Sequence, residues 1–304
     1  MAVPDSTDPD IGPIEHQLMK SIPALVRAIV VGGVVGLLGV VPWAKLVAAN
    51  IRHGSDVPWA VPIMAILLAA WWLYFARGRG WPVITAEARR LSARANPVPD
   101  HLWGPALGAG VLGLIGVLLL QGVLGRLVAL PQQQRDLDPS TFPLATVFAW
   151  VVMSAVVAGV VEETAFRGYV QGGIERRHGP VLAILLSGSL FGLAHFSHPE
   201  VGIALLPYYI AVSAVYGGLA YATNSTFPGM ILHIGGNVFS AFSLFAQGRS
   251  EWQLGSSKPT LVWQSGVDAS FVANVVLLLV VSAAAGLAYT ALISAGRATR
   301  LRAG

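Results

Sequence analysis

The sequence predicts an all-α fold, a polytopic membrane bundle of about eight transmembrane helices, and three observations carry that expectation. Of the 304 residues, 55% are hydrophobic and only 11% charged, against about a quarter charged in soluble domains. The apolar residues come in blocks of near twenty, matching a hydrocarbon core about 30 Å thick, rather than in amphipathic stripes. Within a block such as Val111 to Leu120 nothing polar alternates with the apolar residues, so spanning β-strands do not fit.

The eight blocks run over 25–48, 57–76, 102–125, 143–172, 180–197, 201–222, 227–247 and 270–295. The polar pieces between them are too short to bury a separate core. The chain therefore divides into a tail at 1–22, a membrane helical domain at 23–296 and a basic tail at 297–304. The first segment holds Asp5, Asp8, Asp10 and Glu15 without a basic n-region, which predicts a disordered cytoplasmic tail rather than a cleaved signal.

Between the second and third blocks, Thr85 to Ala95 is rich in Ala, Glu, Leu and Arg and predicts a short helix at the membrane surface, ended by Pro97 and Pro99. The segments 131–142 and 247–268 are polar and turn-rich, as loops are. Trp59, Trp71, Trp72, Trp81 and Trp103 fall near span ends, where amphipathic rings favour the headgroup layer. Placing both termini in the cytoplasm puts twelve Lys and Arg inside, from Lys20 to Arg302, against six outside, from Lys45 to Lys258. That bias predicts an N-in, C-in orientation.

Several function classes drop out. The net charge of +4 comes from arginines in short inter-span loops rather than one basic face, so nucleic acid is not an expected partner. The absence of cysteine removes disulfides, thiolate catalysis and Cys-ligated metals. Gly32, Gly33, Gly36 and Gly39 lack the strand and following Lys-Ser/Thr of a phosphate loop and predict close helix packing instead.

Polar residues interrupt three of the apolar blocks: Glu162, Glu163 and Arg167 in the fourth, His195 at the end of the fifth, and His233 with Asn237 in the seventh. An ionised group at the bilayer centre costs about 2.5–3.5 kcal/mol even on lenient insertion scales, so such groups pair or line a watery cavity. Glu163 and Arg167, at i and i+4, share a helical face and predict an ion pair. Glu162 is rotated about 100° from Glu163 and is left to face the bundle interior.

A carboxylate in a poorly solvated cavity suits proton transfer to and from water, which makes Glu162 the candidate general base. His195 is placed to share or orient that water, while His233 and Asn237, one turn apart, offer donors to a developing oxyanion. Together these groups fit hydrolysis of an amide. The ordinary alternative, structural pairing of buried polar groups, holds for any one residue more readily than for all six together.

The ordered set Glu162-Glu163-x-x-x-Arg167, Phe191-x-x-x-His195 and His233-x-x-x-Asn237 resembles the three motifs of the CPBP family, the CAAX-processing and bacteriocin-processing intramembrane endopeptidases, also called Abi. The resemblance covers a core at about 142–244. It implies a helical membrane core and peptide-bond hydrolysis, with Glu162 and His195 activating water, His233 and Asn237 holding the oxyanion, and Glu163 and Arg167 orienting the site. It also implies a membrane-associated peptide or protein substrate, prenylated C-terminal CAAX peptides being those of eukaryotic members.

Glu162, His195 and His233 leave a zinc site open, since two His and a Glu with one free position is a hydrolytic arrangement. The lack of His-Glu-x-x-His and the Asn beside the second His favour a metal-free glutamate mechanism with no cofactor. A proton-coupled carrier and an inactive membrane scaffold or immunity protein are the competing classes. No inverted repeat supports the carrier. The Ala, Val, Gly and Arg usage points to a bacterial plasma membrane. On the predicted topology Glu162 lies toward the cytoplasmic half of its span while His195 lies at the outer end of the next, a mismatch in depth.

Overall fold

The computed structural model describes residues 23–128, 141–195, 199–246 and 260–303. The segment 1–22, and most of the expected loops at 131–142 and 247–268, lie outside them. All eight apolar blocks form helices, and no strand occurs among the described residues.

The helices are α1 (Ala24–Arg52), α2 (Ala60–Phe75), α3 (Ala86–Ala93), α4 (Asp100–Leu127), α5 (Leu144–Glu162), α6 (Gly172–His178), α7 (Pro180–Ala194), α8 (Pro199–Thr223), α9 (Phe227–Ala246), the one-turn α10 (Val262–Ser265) and α11 (Ala269–Ala303). Prolines mark the starts: Pro23, Pro99 and Pro143 precede α1, α4 and α5, and Pro180 opens α7. At these positions the missing N–H costs nothing. Gly179, at φ 78, separates α6 from α7, a left-handed conformation that glycine adopts without penalty.

Five helical stretches are long and apolar enough to cross a membrane: Ala24–Arg52, Asp100–Leu127, Leu144–His178, Ile203–Thr223 and Ala269–Arg302. α2 and α7 are apolar but have 16 and 15 residues, about 24 Å or less at 1.5 Å per residue. α9 has 20 residues, with His233 and Asn237 interrupting its apolar run. Their large apolar side chains face outward in numbers no soluble protein tolerates, among them Leu37, Ile66, Leu118, Leu279 and Leu287. The chain localises to a membrane.

Three helix limits differ from expectation. The fourth block is not one α-helix: after Glu162 the chain widens into a π-helix over Glu163–Gln171 and returns to α at Gly172. α7 stops at Ala194 rather than 197. The last helix runs on through the basic residues at 297–302 to Ala303 instead of giving way to a tail at 297.

Two apolar clusters organise the bundle. One joins α1, α2 and α5 around Val35, Met64, Trp71, Trp150 and Val161. The other joins α4, α8 and α11 around Ala106, Val117, Leu219 and Leu292. Phe166, on the π segment, packs against both. Trp71 is not at a headgroup surface: it is buried and its Nε1–H donates to the Val35 carbonyl at 3.1 Å, a bond worth more where no water competes.

Contacts between helix ends give the run of the chain. At one end Arg94 pairs with Glu175, Asn96 donates to the Asn224 carbonyl, and Arg300 to that of Ala222. At the other, the Thr146 hydroxyl meets the Asp56 carbonyl and Arg126 pairs with Asp268. The Arg126 guanidinium, with the Ser270 hydroxyl and the Phe271 N–H, holds the Asp268 carboxyl well below the usual carboxylate range. Long helices therefore alternate in direction.

The glycine stripe of α1 packs on the fourth block's helix as expected, with one exception. A Cβ at Gly32 would overlap the Val170 side chain and lie 3.1 Å from the Ala165 carbonyl, and one at Gly39 would come within 2.5 Å of Val161. Gly33 faces open space. Gly32→Ala should therefore lower the unfolding free energy by about 1–3 kcal/mol through overpacking, while Gly33→Ala leaves it unchanged, as thermal unfolding in detergent will show.

Candidate functional site

The site forms where α9 crosses the α5–π junction, and two glycines permit the approach. A Cβ at Gly159 on α5 would collide with Ile234 and sit 3.1–3.2 Å from the Ile234 nitrogen and Met230 carbonyl. A Cβ at Gly229 on α9 would lie 2.8 Å from Glu163 Oε2. Only hydrogen at both positions lets the helices close until His233 reaches the carboxylates.

His233 then stands between the two glutamates. Its Nδ1 lies 2.9 Å from Glu163 Oε1, and its Nε2 lies 3.8 Å from Glu162 Oε2. Nδ1–H donates to the Glu163 carboxylate, which leaves Nε2 turned toward Glu162. The ring is stacked on Tyr216 at 5.0 Å and 9° and is nearly buried. Its orientation is thus fixed from two sides.

Glu163 and Arg167 make the expected i, i+4 ion pair at 3.3 Å, and both are fully buried. The pair is electrostatic rather than hydrogen-bonded, for the guanidinium nitrogens have no hydrogen-bond partner among the described residues. Aromatic faces take up the charge instead. Arg167 Cζ lies 4.7 Å from the Phe191 ring centre, 5.4 Å from Tyr216 and 6.0 Å from Phe166, and cation–π contacts gain strength when desolvated.

Glu162 is the more accessible carboxylate, its side chain 16% exposed against 1% for Glu163. The π-helix begins one residue later, and such insertions occur often at functional sites. One acid is thus taken up by internal charge balance while its neighbour stays partly exposed.

His195 joins this group through Phe191. The Phe191 ring meets His195 at 4.5 Å, His233 at 6.5 Å and Phe166 at 5.1 Å between centroids. His195 Nδ1 lies 2.8 Å from the Phe191 carbonyl, which can only accept, so Nδ1 carries the proton and Nε2 keeps its lone pair in the neutral ring. Tyr209 stacks on the same imidazole at 5.1 Å.

The depth mismatch disappears in three dimensions. Ser187 Oγ donates to the Phe166 carbonyl, which sets the register of α7 against the π segment. His195 lies two turns beyond Ser187 and Glu162 one turn back from Phe166, so both sit on the same side of that contact.

Asn237 is half-buried one turn after His233 and makes no hydrogen bond among the described residues. Of the six candidates, Glu162, His233, Glu163 and Arg167 form a chain of pairs in that order, His195 is reached through Phe191, and Asn237 is placed by its helix alone. No three His, Cys, Asp or Glu side chains placed to hold a metal ion come together among the described residues. Glu162 and His233 stand 3.8 Å apart, whereas His195 joins them only through the Phe191 ring.

Tyr216, Tyr209, Phe166 and Gly229 complete the site and were not expected. Their side chains are apolar or absent on an apolar background, so no polar interruption marked them. The signal available was spacing: Tyr209 and Tyr216, seven residues apart, share one face of α8.

Removing one partner of a buried ion pair costs about 3–5 kcal/mol. Glu163→Gln, which leaves Arg167 uncompensated, should lower the unfolding free energy by that amount, measured by denaturant or thermal unfolding in bicelles. Gly229→Ala should displace the Glu163 carboxylate and reduce stability less.

Residues 143–239 match the family described as type II CAAX prenyl endopeptidase Rce1-like. That segment holds all three motifs. No curated protein and no solved structure matches the chain. The part of the chain that builds the site, residues 143–239, is thus similar to the Rce1-like CAAX endopeptidases.

Proposed function

We propose that the protein is an intramembrane endopeptidase that hydrolyses a peptide bond of a membrane-associated substrate by glutamate-activated water. The observation that carries this reading is the division of labour between adjacent carboxylates: Glu163 neutralises buried Arg167 and orients His233, while Glu162 remains partly exposed beside them.

Glu162 accepts a proton from water as its oxygen attacks the scissile carbonyl, and His195 Nε2 accepts the water's second hydrogen bond. The carbonyl oxygen becomes an oxyanion, to which His233 and Asn237 offer N–H donors. Glu162 then returns the proton to the amide nitrogen as the C–N bond breaks, leaving a carboxylic acid and an amine, and the acid's proton passes to the amine to give a carboxylate and an ammonium. Glu163 and Arg167 touch no reacting atom and act as positioning residues.

The aromatic shell of Phe191, Tyr209 and Tyr216 supports the reading, because it fixes the orientation of both imidazoles. Eight membrane-crossing helices with both termini cytoplasmic remain the topology we favour, in a bacterial plasma membrane. A prenylated C-terminal CAAX peptide is the first substrate class to try, on the family's description.

Purified protein in nanodiscs should cleave a prenylated CAAX peptide or a member of a membrane-peptide library without added metal. Glu162→Gln should reduce the rate by 10²-fold or more, on the order of general acid–base contributions, with unfolding stability changed by less than about 1 kcal/mol. Cleavage that survives this substitution, or that needs Zn²⁺ restored after chelation, would sink the proposal.

A further inference from the structure

The connector between α2 and α4 carries a feature the proposed reaction does not use. Trp81 is 85% exposed, Val83 76%, and Ile84 and Leu91 more than half exposed, all at the end of the bundle where α2 stops and α4 begins. They are not loose. Arg89, buried beneath them, donates to the carbonyls of Tyr74, Gly78, Arg79, Gly80 and Pro82 and to the Thr85 hydroxyl, with its guanidinium 4.0 Å above the Tyr74 ring.

This arginine ties the loop to the end of α2 and holds the apolar side chains outward, when collapse onto the bundle would hide them. Arg77 and Arg79 are exposed beside them, and the carboxylate of the connector itself, Glu87, is committed to Arg90 by two bonds of 2.7 and 2.9 Å. A rigid apolar strip edged by cations, at the level where apolar helices end, matches the headgroup layer of an anionic leaflet in both parts.

The same connector grips both halves of the candidate site. The Ser92 and Ala93 carbonyls press against Gly168, and the Tyr169 hydroxyl bonds the Phe75 and Arg89 carbonyls. Arg94 pairs with Glu175 through two bonds. On the other side the Thr226 N–H donates to the Arg94 carbonyl and Ser225 Oγ to that of Asn96. The first set holds the π segment that bears Glu163, and the second holds the turn leading into α9 and His233.

We propose that residues 77–91 form an interfacial anchor that seats Trp81, Val83, Ile84 and Leu91 in an anionic headgroup layer, and that this seating steadies the Glu163–His233 contact. The second half rests on the protease reading and the first does not. Lipid charge would then set activity without touching the substrate.

The chain contains no cysteine, so single-cysteine variants at Val83 and Leu91 can be spin-labelled without background. Their accessibility to oxygen and to a water-soluble nickel complex is read in nanodiscs of phosphatidylcholine alone and with about a third phosphatidylglycerol. Labels at both sites should favour oxygen in the anionic discs. Arg77→Gln with Arg79→Gln should shift them back toward water, by about fivefold in the seating equilibrium for each arginine.

Water-like accessibility in both lipids would overturn the anchor. Equal burial in both would overturn the role of lipid charge, and concentration-dependent spin–spin broadening would assign the strip to self-association. Peptide cleavage by the double variant should fall in anionic discs only; a fall in both lipids would overturn the link to the site. Wild-type protein that cleaves nothing yet shows the expected depths would contradict the protease reading and leave the anchor standing.

Discussion

Glu163 accepts a hydrogen bond from His233 while facing the guanidinium of Arg167, all within a volume closed to solvent. Three groups that would each be costly alone in a membrane become tolerable together. The contact ties α9 to the α5–π junction, and the cation it balances draws in Phe166 from the same segment, Phe191 from α7 and Tyr216 from α8. Four of the helices matched to the family therefore converge on one buried charge arrangement. The two apolar clusters on either side meet at Phe166, directly above it.

Backbone geometry makes the contact reachable. The π segment begins at Glu163 and places consecutive carboxylates in different surroundings, one sealed and one partly open. Gly159 and Gly229 let α5 and α9 approach more closely than any side chain would allow. Lipid offers no hydrophobic drive for helices to associate, so small residues and polar contacts must supply the cohesion. Both are spent here on placing His233.

Much of this was legible in the sequence because polar residues stand out against apolar runs. The eight helical blocks, the Glu163–Arg167 pair and the packing role of Gly32 and Gly39 all follow from composition and spacing. The π-helix could not be read, since Glu163–Gln171 has no composition that distinguishes it from an α-helical continuation. The early end of α7 depends on packing at its last turn, where His195 folds back to bond the Phe191 carbonyl. The aromatic cage was hidden for the opposite reason: Tyr209, Tyr216 and Phe166 look like ordinary apolar lining until the fold brings Arg167 and two imidazoles against them. Trp71 misled because tryptophan near a span end usually faces headgroups, whereas this one donates to a carbonyl of α1.

The most direct test of the account is a double-mutant cycle on Glu163 and His233, using Glu163→Gln, His233→Gln and the pair, with unfolding free energy measured in bicelles. A buried contact that assembles the site predicts a coupling energy of about 1–3 kcal/mol between the two positions. Effects that add within about 0.5 kcal/mol would mean that the two side chains are neighbours without dependence on one another, and the account of how the site is assembled would be wrong.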